Sequence, residues 1–78
     1  MNDDWMIDAA ACLKFHRKKS GLSQAELAAL ANVGKTAVFD IEHGKSSVQL
    51  NTFLNICTAL NIKLQFSSPL MEEYHAIR

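Results

Sequence analysis

The sequence is poor in the features that mark whole classes of protein. It has no run of apolar residues approaching the ~20 needed to cross a bilayer, so no membrane span is expected. Two cysteines, Cys12 and Cys57, are too few for a disulfide scaffold. Neither sits in a Cys-x-x-Cys pair or near a histidine at metal-ligand spacing, so no metal is expected. Both fall in apolar segments and read as buried free thiols. The N-terminal Met1-Asn2-Asp3-Asp4 is acidic and lacks the apolar stretch of a secretory signal, and a cytoplasmic protein is expected. There is no nucleophile elbow, phosphate-binding loop or paired Ser/His/Asp arrangement, so neither enzymatic activity nor a cofactor is expected. Asp3-Asp4 and Glu72-Glu73 are adjacent pairs that point apart and make no acid site.

Formal net charge is zero, which argues against an indiscriminate coat for nucleic acid. The charge is nevertheless uneven. Between Leu13 and Lys45 lie six basic residues (Lys14, Arg17, Lys18, Lys19, Lys35, Lys45) against three acidic ones (Glu26, Asp40, Glu42). The other acids sit toward the ends. A positive middle of this kind suits a modest footprint on DNA.

What is present is a set of helical signals. With 78 residues and an apolar fraction of 49%, the chain makes one small domain, of a size often stabilised by oligomerisation. Ile7 to Lys19 reads as a first helix, with Ala9, Ala10, Leu13 and Arg17 on one stripe and Gly21 as its stop. Trp5 and Met6 precede it as packing residues, and His16 reads as a half-buried histidine. Ser23-Gln24-Ala25-Glu26 is a capping box opening a second helix, Gln24 to Ala31, with Leu27, Ala28 and Ala31 inward. Asn32 tolerates the left-handed conformation and closes a tight turn. A third helix runs from Lys35 to Glu42 or His43, ended by Gly44. A fourth, about Leu50 to Leu60, carries Leu50, Phe53, Leu54, Cys57 and Leu60 at helical spacing.

Ile62-Lys63-Leu64-Gln65-Phe66 changes rhythm and alternates strictly, as a strand does. No other strand-like run exists to pair with it. Ile62, Leu64 and Phe66 would pair with the same segment of a second subunit about a two-fold axis, giving a homodimer. The alternative is a short extended tail packed on the fourth helix. Beyond Ser67, Ser68 suits a cap, Pro69 a first helical position, and Leu70, Tyr74 and Ile77 share a face. A short helix, a partner-binding tail and a frayed end all fit. The divisions expected are 1–61 for the helical domain, 62–66 for the strand and 67–78 for the tail.

Two short helices joined by a tight turn, with a supporting helix on each side, are the core of a helix-turn-helix unit. Gln24 to His43 follows its twenty-residue pattern: Ala28 is small where the helices cross, Asn32 stands where glycine is usual, and Val38 and Ile41 seat the third helix. Gly21-Leu22-Ser23-Gln24-Ala25-Glu26-Leu27-Ala28 followed by Val38-Phe39-Asp40-Ile41-Glu42-His43-Gly44-Lys45 resembles the XRE family, which includes phage Cro and repressor proteins. Leu50-Asn51-Thr52-Phe53-Leu54 through Ala59-Leu60-Asn61 extends the likeness over about residues 13–62. The strand after the fourth helix is similar to that of HipB-like antitoxins.

The resemblance implies an all-α, four- to five-helix, lambda-repressor-like domain with one C-terminal strand pairing across a dimer. It implies a DNA-binding repressor, an antitoxin of a HipA-like kinase toxin that represses the shared promoter. A phage or plasmid regulator without a toxin, and an interaction module that no longer binds DNA specifically, are the alternatives. At 100° per residue Thr36 and Asp40 point away from Val38 and Ile41, with Lys35, Ala37 and Phe39 on the flanks. The resemblance assigns this set to base edges in the major groove of a palindromic operator. Thr36 can donate or accept, Ala37 and Phe39 can meet thymine methyls, and Asp40 can accept from cytosine N4. Phe39 and Asp40 depart from the family's polar or basic choices; Phe39 also suits packing, and Lys35 a phosphate. Backbone contacts fall to Gln24, His43, Lys45 and Ser46, and to Ser23 beyond its capping role. Lys18 and Lys19 serve as steering charges or as a solvated helix end. In the phage repressors the positions of Arg17 and Glu42 form a partly buried ion pair, implying a structural link between the first and third helices.

Overall fold

The computed structural model describes residues 4–77. Five helices follow in order: α1 (Asp4–Lys19), α2 (Gln24–Ala31), α3 (Lys35–Glu42), α4 (Leu50–Ala59) and α5 (Met71–Ile77). The first four enclose one core of Leu13, Leu27, Ala28, Ala31, Val38, Ile41, Phe53, Ile56, Cys57 and Leu60. Leu27 is wholly inaccessible, as expected where α2 is wedged between α3 and α4.

The start of α2 follows from its sequence. The Ser23 hydroxyl accepts from the Glu26 amide at 3.0 Å, and the Glu26 carboxylate accepts from the Ser23 amide at 2.8 Å. Two otherwise unpartnered donors are thereby satisfied. These bonds hold the Glu26 carboxyl below its usual range, the Ser23 backbone N–H contributing most and its hydroxyl next.

One device ends all four core helices. After each, a residue turns left-handed: Gly21, Asn32, Gly44 and Asn61, with φ of 74°, 57°, 76° and 58°. The following amide then donates back to a carbonyl five residues earlier: Leu22 to Arg17, Val33 to Ala28, Lys45 to Asp40, and Ile62 to Cys57. This is the Schellman closure, which usually seals itself with an apolar contact between those two positions. Leu22, Val33 and Ile62 do pack on the core. Lys45 is the exception.

Several expectations need correction. The first helix begins earlier than Ile7 and includes Trp5 and Met6; Met6 is buried, while half-exposed Trp5 leans on Phe53 with ring centroids 5.7 Å apart. Cys12 is exposed, because the buried stripe of α1 passes through Ala10, Leu13 and Arg17 and leaves position 12 at its edge. Only Cys57 is a buried thiol, and burial chiefly pushes its pKa up, with Cys12 adding to the effect. The inner face of α4 is Phe53, Ile56, Cys57 and, just beyond the helix, Leu60; Leu50 and Leu54 are exposed. His16 is partly buried, its Nδ1–H donating to the Cys12 carbonyl of its own helix at 2.7 Å. The Asp3-Asp4 pair lies outside the described side chains.

Residues 62–68 carry no regular secondary structure, and no strand pairing occurs among the described residues, so the expected dimerisation strand is not seen. Ile62 tucks against the core, whereas Leu64 and Phe66 face outward, Phe66 being 88% exposed. The tail then forms α5, whose entry is fixed by the Ser68 hydroxyl accepting from the Leu70 amide at 3.2 Å. Leu70, Tyr74 and Ile77 are all exposed, and α5 has no fully buried residue, Met71 being partly covered.

Candidate nucleic-acid interface

The orientation of α3 is set from its inner side. Val38 and Ile41 are each 1% exposed, locking the helix onto the core. Its end is tied to α1 by charge. Arg17 Nε donates to Glu42 Oε2 at 2.6 Å and its terminal nitrogen to Oε1 at 2.9 Å, a bidentate pair. The other terminal nitrogen donates to the Leu22 carbonyl at 2.9 Å. Gln24 Nε2 adds a third donor to Glu42 Oε1 at 3.1 Å, so the first residue of α2 joins the same knot. Burial pushes the Glu42 pKa up, but hydrogen bonds from Arg17 and Gln24, with the charges of Arg17 and Lys14, outweigh it and leave it lowered. For Arg17 the bond to Glu42 raises the pKa against its own burial. Both directions favour the charged pair.

The outer side of α3 carries different chemistry. Lys35 and Thr36 are exposed, Ala37 and Asp40 partly so. Phe39, 47% exposed, stacks on His43 with centroids 3.9 Å apart and planes 25° from parallel. His43 Nδ1 must carry its proton, since it lies 2.7 Å from the Phe39 carbonyl, which only accepts. The ring is thus pinned and its Nε2 edge left outward. Lys45 Nζ sits 3.4 Å from Asp40 Oδ2. Gln24, Lys35, Thr36 and Phe39 line one cleft, where the starts of α2 and α3 meet.

The fold therefore gathers Gln24, Lys35, Thr36 and Phe39 at one place, with Asp40, His43 and Lys45 following along α3. Ser23 is occupied by its cap, and Ser46 is exposed in the loop beyond. Lys19 covers the exposed Phe15 ring at 5.9 Å, so it is not simply a free steering charge. Ile62, Leu64 and Phe66 belong to a separate surface. Besides Lys19 over Phe15, three contacts were not anticipated from the sequence: Gln24 to Glu42, Phe39 on His43, and Lys45 to Asp40. The i, i+4 spacing of Phe39 and His43 was the available signal for the second.

Among the described residues no three His, Cys, Asp or Glu side chains gather as a metal site. No described helix is long and apolar enough to cross a membrane.

Comparison with known proteins gives two findings. A family model described as Helix-turn-helix matches residues 13–67. The chain is also 32% identical over 62 residues to a Sinorhizobium fredii protein named as an uncharacterized HTH-type transcriptional regulator, y4mF. That match spans 80% of this chain and 82% of the relative.

Proposed function

This chain belongs to the helix-turn-helix family of DNA-binding transcriptional regulators, and from that premise we propose that it is a sequence-specific repressor acting as a homodimer. The single observation behind this is the two-sided character of α3: Val38, Ile41 and the Arg17–Glu42 pair hold one face, while Lys35, Thr36 and Phe39 stand exposed on the other. A rigidly seated helix with a protruding polar and apolar edge is what major-groove reading requires. In this reading Lys35, Thr36, Ala37, Phe39 and Asp40 face bases. Ser23, Gln24, His43, Lys45 and Ser46 face the sugar-phosphate backbone.

The dimer would form through residues 62–66. Beyond Ile62, whose amide donates to the Cys57 carbonyl, residues 63–66 have no backbone partner among the described residues, and Leu64 and Phe66 are exposed, which supports pairing with a second copy. Two recognition helices related by a two-fold axis call for an inverted-repeat operator, its half-sites about 34–36 Å apart or a multiple of that. On its resemblance to HipB-like antitoxins, the chain would also bind a HipA-like kinase toxin and repress the promoter they share. With few cations per subunit, a bound toxin would add affinity by multivalency.

Fluorescence titration of the full chain against the DNA upstream of its gene, beside scrambled DNA, at two salt concentrations tests the repressor reading. A preference that persists while affinity falls with rising salt is expected. Equal binding of both duplexes at each salt refutes it and favours a protein-interaction module. Co-purification with the product of the neighbouring gene tests the antitoxin role: a stable complex with a kinase supports it, and none overturns it.

A further inference from the structure

The last turn of α3 breaks two electrostatic rules. A carboxylate there, Asp40, opposes the negative end of the helix dipole. It also stands on the face proposed to meet a polyanion. Such a local violation points to a use for the residue. At the other three Schellman ends, the residue following the left-handed one is apolar and packed on the core: Leu22, Val33 and Ile62. Only here is it a charge. Gly44 turns the chain back, the Lys45 amide donates to the Asp40 carbonyl at 3.0 Å, and the Lys45 ammonium covers the Asp40 carboxylate.

That ion pair is loose. At 3.4 Å it is longer than a tight charge-assisted bond, and the Lys45 side chain is 58% exposed. The Arg17–Glu42 pair, at 2.6 Å and buried, is its opposite. A loose pair changes partners easily.

We propose that Asp40 is the specificity-determining residue of the recognition helix, selecting cytosine through its N4 amine, and that Lys45 is its positioning residue, released to a phosphate only when that cytosine is present. The proposal rests on the DNA-reading function above. In the free protein Lys45 neutralises Asp40. On DNA, Lys45 is drawn to a phosphate, and Asp40 then needs a new donor. Cytosine N4 supplies one. Guanine O6 and N7 and thymine O4 do not, since they only accept; with those bases Lys45 stays on Asp40 and the phosphate contact is not made. Adenine N6 is a donor, but N7 beside it repels the carboxylate.

The test uses the full chain and duplexes that it selects from a randomised pool, with each selected cytosine then replaced in turn. Wild type should select a fixed cytosine in each half-site. Replacing it should weaken binding about five- to hundred-fold and flatten the salt dependence by roughly one phosphate contact per subunit. Lys45→Met should weaken binding to the cytosine duplex about tenfold more than to the replaced one. Asp40→Asn should select adenine or no fixed base at that position, and its salt slopes on the two duplexes should agree. Both substitutions are at the surface, and matching thermal melts check that the fold is kept. If wild type selects a sequence without that cytosine, or Asp40→Asn selects the same one, the proposal fails while the repressor reading stands. If wild type selects no sequence at all, the repressor reading itself fails.

Discussion

The last turn of α3 carries two carboxylates, and the molecule treats them in opposite ways. Glu42 faces inward, is 2% exposed at its side chain, and takes three hydrogen bonds from Arg17 and Gln24. Asp40 faces outward and its carboxylate has one long contact with an exposed lysine. The bonds from Arg17 and Gln24 to Glu42 tie the end of α3 to α1 and α2. The outer pair is within reach of solvent and of any ligand that approaches. One turn of helix thus holds a tight buried tether and a loose exposed one, and on the proposed reading this separates the residues that aim the helix from those that read with it.

The comparison breaks most visibly at Glu42. Glu42→Ala should lower stability by about 3–5 kcal/mol, since Arg17 is left buried without its counter-charge, and operator affinity should fall with it. Denaturant unfolding and DNA titration on the same protein check this; lost binding at unchanged stability would contradict the tether. The Arg17→Met, Glu42→Leu double variant sharpens it. Replacing both charges by apolar groups should restore most of the stability but not the affinity, because Gln24 has also lost its acceptor. Acid probes the same bond. The folded-state pKa of Glu42 is lowered, so its stabilisation is complete above the ordinary carboxylate value and is lost as pH falls through the lower folded value. Glu26 shifts in the same direction and adds to this loss. In melts at decreasing pH, the wild type should therefore lose stability more steeply than Glu42→Ala.

On the outer face the same logic gives the reverse pattern. Phe39→Ala removes a half-exposed ring and its stack on His43. Stability should change by less than about 0.5 kcal/mol, while binding to the selected operator should weaken by about 1–3 kcal/mol. Should stability fall as far as binding, Phe39 would be a packing residue, and the outer face would lose its main apolar reader.

Much of this was legible beforehand, and the reason is locality. Ser23 and Glu26 form a box whose two bonds span three residues, and Asn32 turns left-handed in a contact that spans five. Val38 and Ile41 follow from a 3.6-residue period on a short helix with few apolar residues to confuse it. The start of α1 was missed because Asn2, Asp3 and Asp4 are all capping residue types, and three in a row do not say which turn opens the helix. The inner stripe of α4 was misplaced because Leu50, Leu54 and Ile56 make it apolar on more than one side, so that its period admits two phases. Ile62 to Phe66 forms no strand among the described residues, since alternation says nothing about a partner to pair with. The Lys45–Asp40 contact needs Gly44 at φ 76° to swing the chain back, and a contact made by a turn is invisible until the turn is built.

The smallest effect concerns the capping box, where α2 and α3 differ. The N-terminus of α2 is closed by side chains, whereas Gly34 ahead of α3 makes no side-chain cap bond. Ser23→Ala should cost about 1 kcal/mol, the usual worth of a serine cap, and Ser23→Asp should recover it, since a carboxylate caps equally well. DNA distinguishes the two. Next to Gln24, an added negative charge meets the same phosphate that the glutamine is proposed to bind. Ser23→Asp should then bind DNA more weakly than Ser23→Ala although it is the more stable protein. An inversion of stability and affinity between these two variants would place the start of α2 against the sugar-phosphate backbone. If affinity instead followed stability, the box would serve only to hold α2, and backbone anchoring would fall to His43, Lys45 and Ser46 beyond the recognition helix.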